Sequence, residues 1–388
     1  MKLALIGFGN AGGKVVDAIL EHDRAFDTEL CRSVLAVNTA AADLEKPDVI
    51  PADRRLLIGQ TDDRVKGHGV GADPDLGAEI ARSDLYEITR AIDDVPIYDI
   101  DAFLVVAGLG GGTGSGGAAV IAEALHQTYQ EPIYGLAILP SREEGGRATF
   151  NAARSFPTFV EATDNLLVFD NNVWRGADDS IGSGYRRTNR EIAERVHSFL
   201  SAGSPNAEMV SENVMDASDV RRTFEPGGIS TIAYAQADLD PSTRRNRGLI
   251  GKFTPTSGPE VDSAKKIAGL VRRAVQSRLT LPADVESAER SMIVISGPPE
   301  EFSRKGLETA RSWLEGQTGS IEVLAGDNPI PDADFVSATV LLSNVTDVPR
   351  IEQLKATAVA AKQNAAEMAD GRDTKIQSLV TSDQLDPV

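Results

Sequence analysis

The chain has 388 residues, 41% of them hydrophobic, and a formal net charge of −19. At roughly 150 residues per domain, this length predicts two or three domains that each bury a core, while the charge excludes a nucleic-acid binder held by a basic face. A single cysteine, Cys31, excludes an internal disulfide framework and a cysteine-based zinc site, and the lack of any apolar run near roughly 18 residues, or of a signal-peptide layout in residues 1–30, predicts a soluble cytoplasmic protein.

Residues 2–7 form a short apolar run that stops at a glycine cluster, Gly7-Phe8-Gly9-Asn10-Ala11-Gly12-Gly13. Helical spacing follows from Lys14 to Glu21, and Val34–Val37 reads as a second strand ending at Asn38-Thr39. Residues 76–94 read as one helix and 102–107 as a buried strand. Next comes Gly108-Leu109-Gly110-Gly111-Gly112-Thr113-Gly114-Ser115-Gly116-Gly117, opening a helix from Ala118 to Tyr129. Ile133–Leu139 and Leu166–Phe169 are further strands. Short buried strands alternating with helices predict an α/β fold with a parallel sheet covered on both faces.

A long helical stretch from Tyr185 to about Ala202 places Ile192, Val196 and Phe199 on one stripe. Segments 229–235, 291–296, 321–325 and 335–342 look like strands of a second sheet, with helices at about 261–279, 303–316 and 349–369 between and after them. The expected organisation is therefore a nucleotide-binding domain over 1–184 and a central helix over 185–203. An acidic loop and connector follow over 204–228, then a smaller α+β domain over 229–345. A terminal helix with a short polar tail completes the chain over 346–388.

The first glycine loop matches GxGxxG through Gly7, Gly9 and Gly12, which admits a Rossmann oxidoreductase. The acidic residue expected after the second strand is replaced by Asn38-Thr39 and three alanines before Asp43. The second loop holds seven glycines around Thr113 and Ser115, at a strand end and before a helix. Glycine lets backbone N–H groups approach phosphate oxygens, and the helix N-terminus adds favourable partial charge. Two such cradles on adjacent strand ends suit a triphosphate. A Walker A loop is absent, because Val15 follows Gly13-Lys14 and Phe8 holds the first-glycine place. Lys14 is thus expected to be an early helix residue rather than a phosphate lysine.

These residues resemble the tubulin/FtsZ superfamily of GTPases. Gly110 to Gly116 fits the signature GGGTG[ST]G in full, and Gly9-Asn10-Ala11-Gly12 is similar to tubulin's GQxGN. Asn38-Thr39 falls where FtsZ has AVNTD, and Gly69-Val70-Gly71-Ala72-Asp73-Pro74 resembles the loop that closes over the terminal phosphate. The resemblance implies GTP/GDP contacts from Gly9, Asn10, Ala11, Gly12, Asn38, Gly71, Ala72 and Gly108. It implies further contacts from Gly110, Gly111, Gly112, Thr113, Gly114, Ser115 and Gly116. Asp170-Asn171 looks like the base-contacting DN of tubulin, and Tyr185 with Asn189 fits the family's aromatic–amide spacing on one helix face. The ring of Tyr185 would stack on the purine while Asn171 and Asn189 read its edge. Pro140–Asn151 resembles the ribose and phosphate loop, with Arg147 and either Glu143 or Glu144 as its contacts. Magnesium would be held by phosphates and water, with Asn10 or Asp216 as the protein donor.

The family completes its active site between subunits, with an acidic loop of one protomer meeting the nucleotide of the next. Here the match is Asn213 to Asp219, with one residue more than the family has between Asn213 and Asp216. Asp216 and Asp219 keep their three-residue separation and are the implied catalytic pair, Asp219 orienting water and Asp216 supporting it. At a helix start, that spacing puts both carboxylates on one outward face.

The tubulin-like first loop and the acidic, Arg-rich composition, with 33 Asp and 25 Glu against 28 Arg and 11 Lys, are similar to the archaeal tubulin-like CetZ group. That resemblance implies head-to-tail filaments serving cell shape or motility in a halophilic archaeon. Concentrated salt would screen the acidic self-repulsion, and Arg is a more weakly hydrated cation than Lys. Scattered histidines (His22, His68, His126, His197) show no ligand spacing and read as surface or packing residues. No nucleic acid and no direct membrane anchor are expected, so envelope contact would pass through protein partners. The alternatives are an FtsZ-type division GTPase, a regulator that binds nucleotide without polymerising and, more remotely, a Rossmann NAD(P) oxidoreductase.

Overall fold

The computed structural model describes residues 1–174, 181–201, 215–239, 259–361 and 363. Its first half alternates strands and helices: β1 (Leu3–Phe8), α1 (Gly9–Ala25), β2 (Cys31–Asn38), α2 (Ala41–Leu44), β3 (Arg55–Leu57), α3 (Pro74–Ser83), α4 (Leu85–Ile92), β4 (Ala102–Gly108), α5 (Thr113–Thr128), β5 (Ile133–Leu139), α6 (Gly146–Glu161), β6 (Asn165–Asp170) and α7 (Asn171–Trp174). The central helix α8 (Ile181–Leu200) and α9 (Ala217–Phe224) follow. The second half adds β7 (Ile229–Asp238), α10 (Pro259–Gln276), β8 (Arg290–Gly297), α11 (Arg304–Glu315), β9 (Glu322–Pro329), β10 (Phe335–Ser343) and a helix, α12, over 349–361.

The strands join into a ten-stranded sheet in the order β3-β2-β1-β4-β5-β6-β7-β10-β8-β9. Strands β1 to β7 run parallel to their neighbours, whereas β10 is antiparallel to both β7 and β8. The strands expected to form a separate second sheet are therefore continuous with the first. The junction is narrow, Leu166 and Leu167 of β6 against Ile229 and Ser230 of β7, a two-residue pairing that leaves no trace in hydrophobic pattern.

Both faces of the sheet are buried, with the period-two split of a covered strand. Ala4, Ile6 and Phe8 face one core, with α3 to α6, α10 and α11; Leu3 and Leu5 face the other, with α1, α8 and α9. Ile192, Val196 and Phe199 of α8 are all buried, as the stripe predicts.

Several boundaries differ from the sequence reading for identifiable reasons. The helix expected over 76–94 breaks at Asp84, whose carboxylate accepts the Gly59 N–H at 2.6 Å; α3 is capped instead by Asp73, which accepts from Asp75 and Leu76 N–H. Helix α5 starts at Thr113, inside the glycine run rather than at Ala118, and β2 starts at Cys31 rather than Val34. Strand β3 and helix α7 are too short to show a period, and α6 begins inside the Pro140–Asn151 stretch read as a loop and carries Pro157 within it. Helix α8 begins at Ile181, ahead of the expected 185, and the described part of the terminal helix stops at 361.

Helices α3 and α5 cross closely because Gly116 has no side chain: a Cβ there would lie 2.0 Å from the Pro74 carbonyl oxygen. Gly116→Ala must push two backbones apart, so it is expected to destabilise the nucleotide-free fold by about 1–3 kcal/mol. Thermal unfolding in molar KCl reads the effect, and an unchanged midpoint would contradict the packing assigned here.

Candidate functional site

Because β1 to β6 are parallel, the chain leaves each of them at the same edge of the sheet. Gly9, Asn38, Gly108, Pro140 and Asn171 all lie at that edge, around a cavity of about 450 Å³. This is the crevice outside the carboxyl ends of the strands, where open α/β sheets bind their ligands.

Two helices start in the cavity wall, α1 at Gly9 and α5 at Thr113, and neither has an acidic residue in its first turn. Their free N–H groups and positive ends are thus aimed at the cavity without internal neutralisation, an arrangement that favours an anion. The two N-termini nearly touch: Gly9 has φ +76°, and a Cβ on it would lie 2.9 Å from the Gly114 nitrogen. Only glycine satisfies both conditions. Across the cavity, Gly71 and Ala72 belong to a loop in which Ala72 also holds a positive φ of 57°.

The cavity brings together most of the residues singled out in the sequence. Its wall contains Gly9, Asn10, Ala11, Asn38, Gly71, Ala72 and Gly108, then Gly110, Gly111, Gly112, Thr113 and Gly114. Glu144, Asn171, Tyr185 and Asn189 complete the side away from the glycine loops. Of the two candidate glutamates, Glu144 lines the cavity and Glu143 does not. The Glu144 Oε1 accepts the Ser141 N–H at 2.8 Å and the Asn171 Nδ2 at 3.3 Å, so one carboxylate joins two loops. Thr113 and Thr39 share a hydroxyl–hydroxyl hydrogen bond of 2.6 Å, which ties the second glycine loop to the end of β2.

Five expected contacts lie outside the wall. A Cβ on Gly12 would sit 2.2 Å from the Val106 carbonyl oxygen, so this glycine lets α1 approach β4. Gly116 serves α3–α5 packing in the same way. Ser115 donates its hydroxyl to the Gly111 carbonyl at 2.6 Å and is buried, bracing the loop from behind. Glu143 and Arg147 are exposed, on the turn and first residues of α6. A glycine-rich signature does not distinguish glycines that face a ligand from those that face a helix.

The wall also holds residues that the sequence reading missed, among them Lys14, Asp43 and His68. Lys14 was expected to be a plain helix residue; it stands one turn after Asn10 and shares its face, a spacing that was available as a signal. Partial burial, and secondarily Lys46, hold its ammonium pKa below the ordinary value. His68 has no local signal, because it arrives by an isolated bridge to Ala40.

Behind the wall, Asn151 of α6 points its Nδ2 at three carbonyl oxygens, Ala72 at 3.0 Å and Gly110 and Gly111 at 3.2 Å. It therefore holds the Gly71–Ala72 loop against the second glycine loop.

The expected catalytic pair lies elsewhere. Asp216 is the N-cap of α9 and Asp219 its third residue, and the two form a reciprocal capping box: Asp216 accepts the N–H groups of Ser218 and Asp219, while Asp219 accepts the Asp216 N–H. The carboxylates turn back on the helix start rather than simply pointing outward together. Hydrogen bonds from Ser218 hold the Asp216 pKa below the usual carboxylate value. Helix α9 is anchored at the opposite edge of the sheet, with Arg221 donating to the carbonyl of Asp101, just before β4, at 2.7 Å. The seven residues of β4 then separate α9 from the cavity by roughly 20 Å at 3.3 Å per residue. Asn213 lies outside the described residues.

The comparisons with known proteins agree with this architecture. The tubulin/FtsZ family GTPase domain matches residues 2–178, and the tubulin-like CetZ C-terminal domain matches residues 178–360. The tubulin-like protein CetZ1 of Haloferax volcanii is 50% identical over 95% of this chain and 94% of its own length. The tubulin-like protein CetZ of Thermococcus kodakarensis is 32% identical over 98% of this chain and 92% of its own. Among solved structures, the GDP-bound monomer of Haloferax volcanii CetZ1 superposes with a TM-score of 0.83, at 49% identity, over 93% of this chain and all of that one. A GTPγS-bound protofilament of CetZ2 from the same organism gives 0.82 at 38% identity, over 94% and 100%. The fold and site thus define a GTPase of the tubulin/FtsZ superfamily. Within that class, the chain belongs to the tubulin-like CetZ family.

Replacing Asn151 by Ala leaves three loop carbonyls without their shared donor. We expect Asn151→Ala to weaken GTP binding by about tenfold, the size of one well-placed hydrogen bond, with little change in unfolding temperature. Equilibrium titration with a fluorescent GTP analogue checks it.

Proposed function

We propose that the chain polymerises head-to-tail with GTP in its cavity, hydrolyses that GTP between protomers, and serves cell shape or motility in a salt-adapted archaeal cytoplasm. The observation that carries this reading is the placement of Asp216 and Asp219 at the sheet edge opposite the cavity. No carboxylate pair on α9 reaches its own protomer's nucleotide across roughly 20 Å of strand, so a second protomer must supply it. A contact between opposite ends of identical chains is heterologous, and repeated without closure it gives a filament.

In the composite site, the two glycine loops and the N-termini of α1 and α5 would hold the phosphates. Tyr185 would stack on the guanine, with Asn171 and Asn189 at its edge. Catalysis of phosphoryl transfer is mainly positioning and charge stabilisation. Asp219 of the next protomer would orient the attacking water, and Asp216 would fix the geometry of Asp219 through the cap they share. Among the described residues no group of three or more His, Cys, Asp and Glu is arranged to hold a metal. The wall does include Asn10 and Asp43, the latter also ion-paired with Lys46, a sparse hard-donor set that suits a magnesium ion carried mostly by phosphate oxygens and water. Bound magnesium would neutralise charge on the β- and γ-phosphates.

None of the described helices is long and apolar enough to cross a membrane; contact with the envelope through protein partners is part of the same proposal. A net charge of −19 makes protomers repel one another in dilute salt, so assembly should require molar KCl, where the screening length is about 3 Å.

Four measurements test this. GTP turnover per molecule should rise with protein concentration; a constant value from dilute to concentrated solution would refute hydrolysis between protomers. Asp216→Asn keeps the cap that fixes Asp219, so it should keep the unfolding temperature and most of the turnover, whereas Asp216→Ala should lower turnover at least tenfold. Asp219→Ala should bind GTP, lose hydrolysis and prolong filament lifetime in light scattering. Filaments forming equally well in dilute buffer would contradict the role given to the acidic surface.

A further inference from the structure

The C-terminal helix α12 places one buried cation behind the cavity. Arg350, 7% exposed, makes an ion pair with Asp170 through its Nε at 3.1 Å and donates through Nη2 to the Pro140 carbonyl oxygen at 2.8 Å. Asp170 is the last residue of β6 and only 1% exposed, and Pro140 follows the last residue of β5. The guanidinium therefore bridges the ends of two adjacent strands. One residue beyond Asp170 is Asn171, and four residues beyond Pro140 is Glu144, and these two meet in the cavity wall at 3.3 Å. Neither Arg350 nor Asp170 lines the cavity. One turn along α12, Gln353 accepts from Arg142 at 3.0 Å, so the same helix also grips the turn that carries Glu144.

We propose that Arg350 is a positioning residue for guanosine recognition, holding the Asn171 and Glu144 loops in register and coupling the C-terminal helix to the nucleoside side of the nucleotide site. This rests on the reading of the cavity as a GTP site. Arginine suits the position because a planar fork serves a carboxylate and a carbonyl at once; a lysine ammonium keeps the charge but lacks the second arm. A buried Asp170 stripped of its partner would be strongly unfavourable, and the backbone just before Asn171 would move to relieve it. Coupling of this kind is reciprocal, so occupancy of the nucleoside site should steady α12 as much as α12 steadies the nucleoside site.

The test compares GTP with tripolyphosphate, which offers the phosphates without the guanosine. Arg350→Lys should weaken GTP binding about tenfold, the size of one misplaced hydrogen-bonding group, and leave tripolyphosphate binding within about twofold. Should that variant fail to fold, Arg350→Met with Asp170→Asn removes both charges together, and it should show the same selective loss. In the wild-type chain, GTP but not tripolyphosphate should slow hydrogen exchange of the amides over 349–361. Equal losses for both ligands, or no loss for either, would overturn the proposal and leave the ion pair a purely structural one, as would exchange that ignores GTP. A wild-type chain that binds tripolyphosphate as tightly as GTP would instead refute the guanosine reading itself, a result visible before any variant is made.

Discussion

The parallel direction of β1 to β6 is the constraint on which the rest of the molecule depends. Parallel strands send every following loop to one edge of the sheet, and every preceding loop to the other. The first edge collects two helix N-termini, two glycine loops, Asn171 and Glu144 into one anion-attracting cavity. The second receives α9, fixed there by Arg221 on the backbone of Asp101. In the proposed reading, binding and hydrolysis are thereby divided between opposite ends of one protomer. Neither half needs an unusual residue; what makes assembly part of the chemistry is the length of the strands between them.

The cavity itself depends on backbone approach more than on side chains. Gly9 and Gly114 bring α1 and α5 almost into contact, concentrating N–H donors where a side chain of any size would separate them. The supporting layer is polar and specific: Thr39 on Thr113, Ser115 on Gly111, Asn151 on three carbonyls. Each holds a loop that has little packing of its own. On the Asn171 side of the cavity the support comes from farther along the chain, where Arg350 reaches Asp170 and Pro140 from the C-terminal helix. The two halves of the molecule therefore share one sheet and one site, although their family signatures divide near residue 178.

Residues that carry a functional signature did not always face the ligand. Gly12 and Gly116 sit inside glycine motifs but are required by helix packing, since a Cβ on either would strike a backbone oxygen. Asp216 and Asp219 satisfy the sequence pattern for an acidic pair and also cap α9. A helix cap and an acidic catalytic loop use the same residue types at the same spacing, so the pattern alone leaves both roles open. The distance from the cavity is what favours the proposed role between protomers. Lys14 illustrates the opposite case, a residue with no motif of its own that α1 carries into the wall one turn after Asn10.

What the sequence determined by itself was local: buried strands ended by glycine loops, the apolar stripe of α8, and the Tyr185–Asn189 spacing that a helix turns to one side. These follow from backbone periodicity and from glycine's missing side chain, both readable within a dozen residues. Only the tertiary structure decided that the expected second sheet joins the first through Leu166–Ile229 and Leu167–Ser230. It alone placed Glu144 rather than Glu143 in the wall, and made Arg350 a neighbour of residues some 180 to 210 positions earlier. Such contacts depend on where separate elements meet in space, and the residues on either side carry no mark of the partner they will find. The excess of acid was legible from the first count of residues, and the division of the site between two ends of the fold gives it a physical consequence. In the proposed filament, opposite ends of identical acidic chains must meet before GTP can be cleaved.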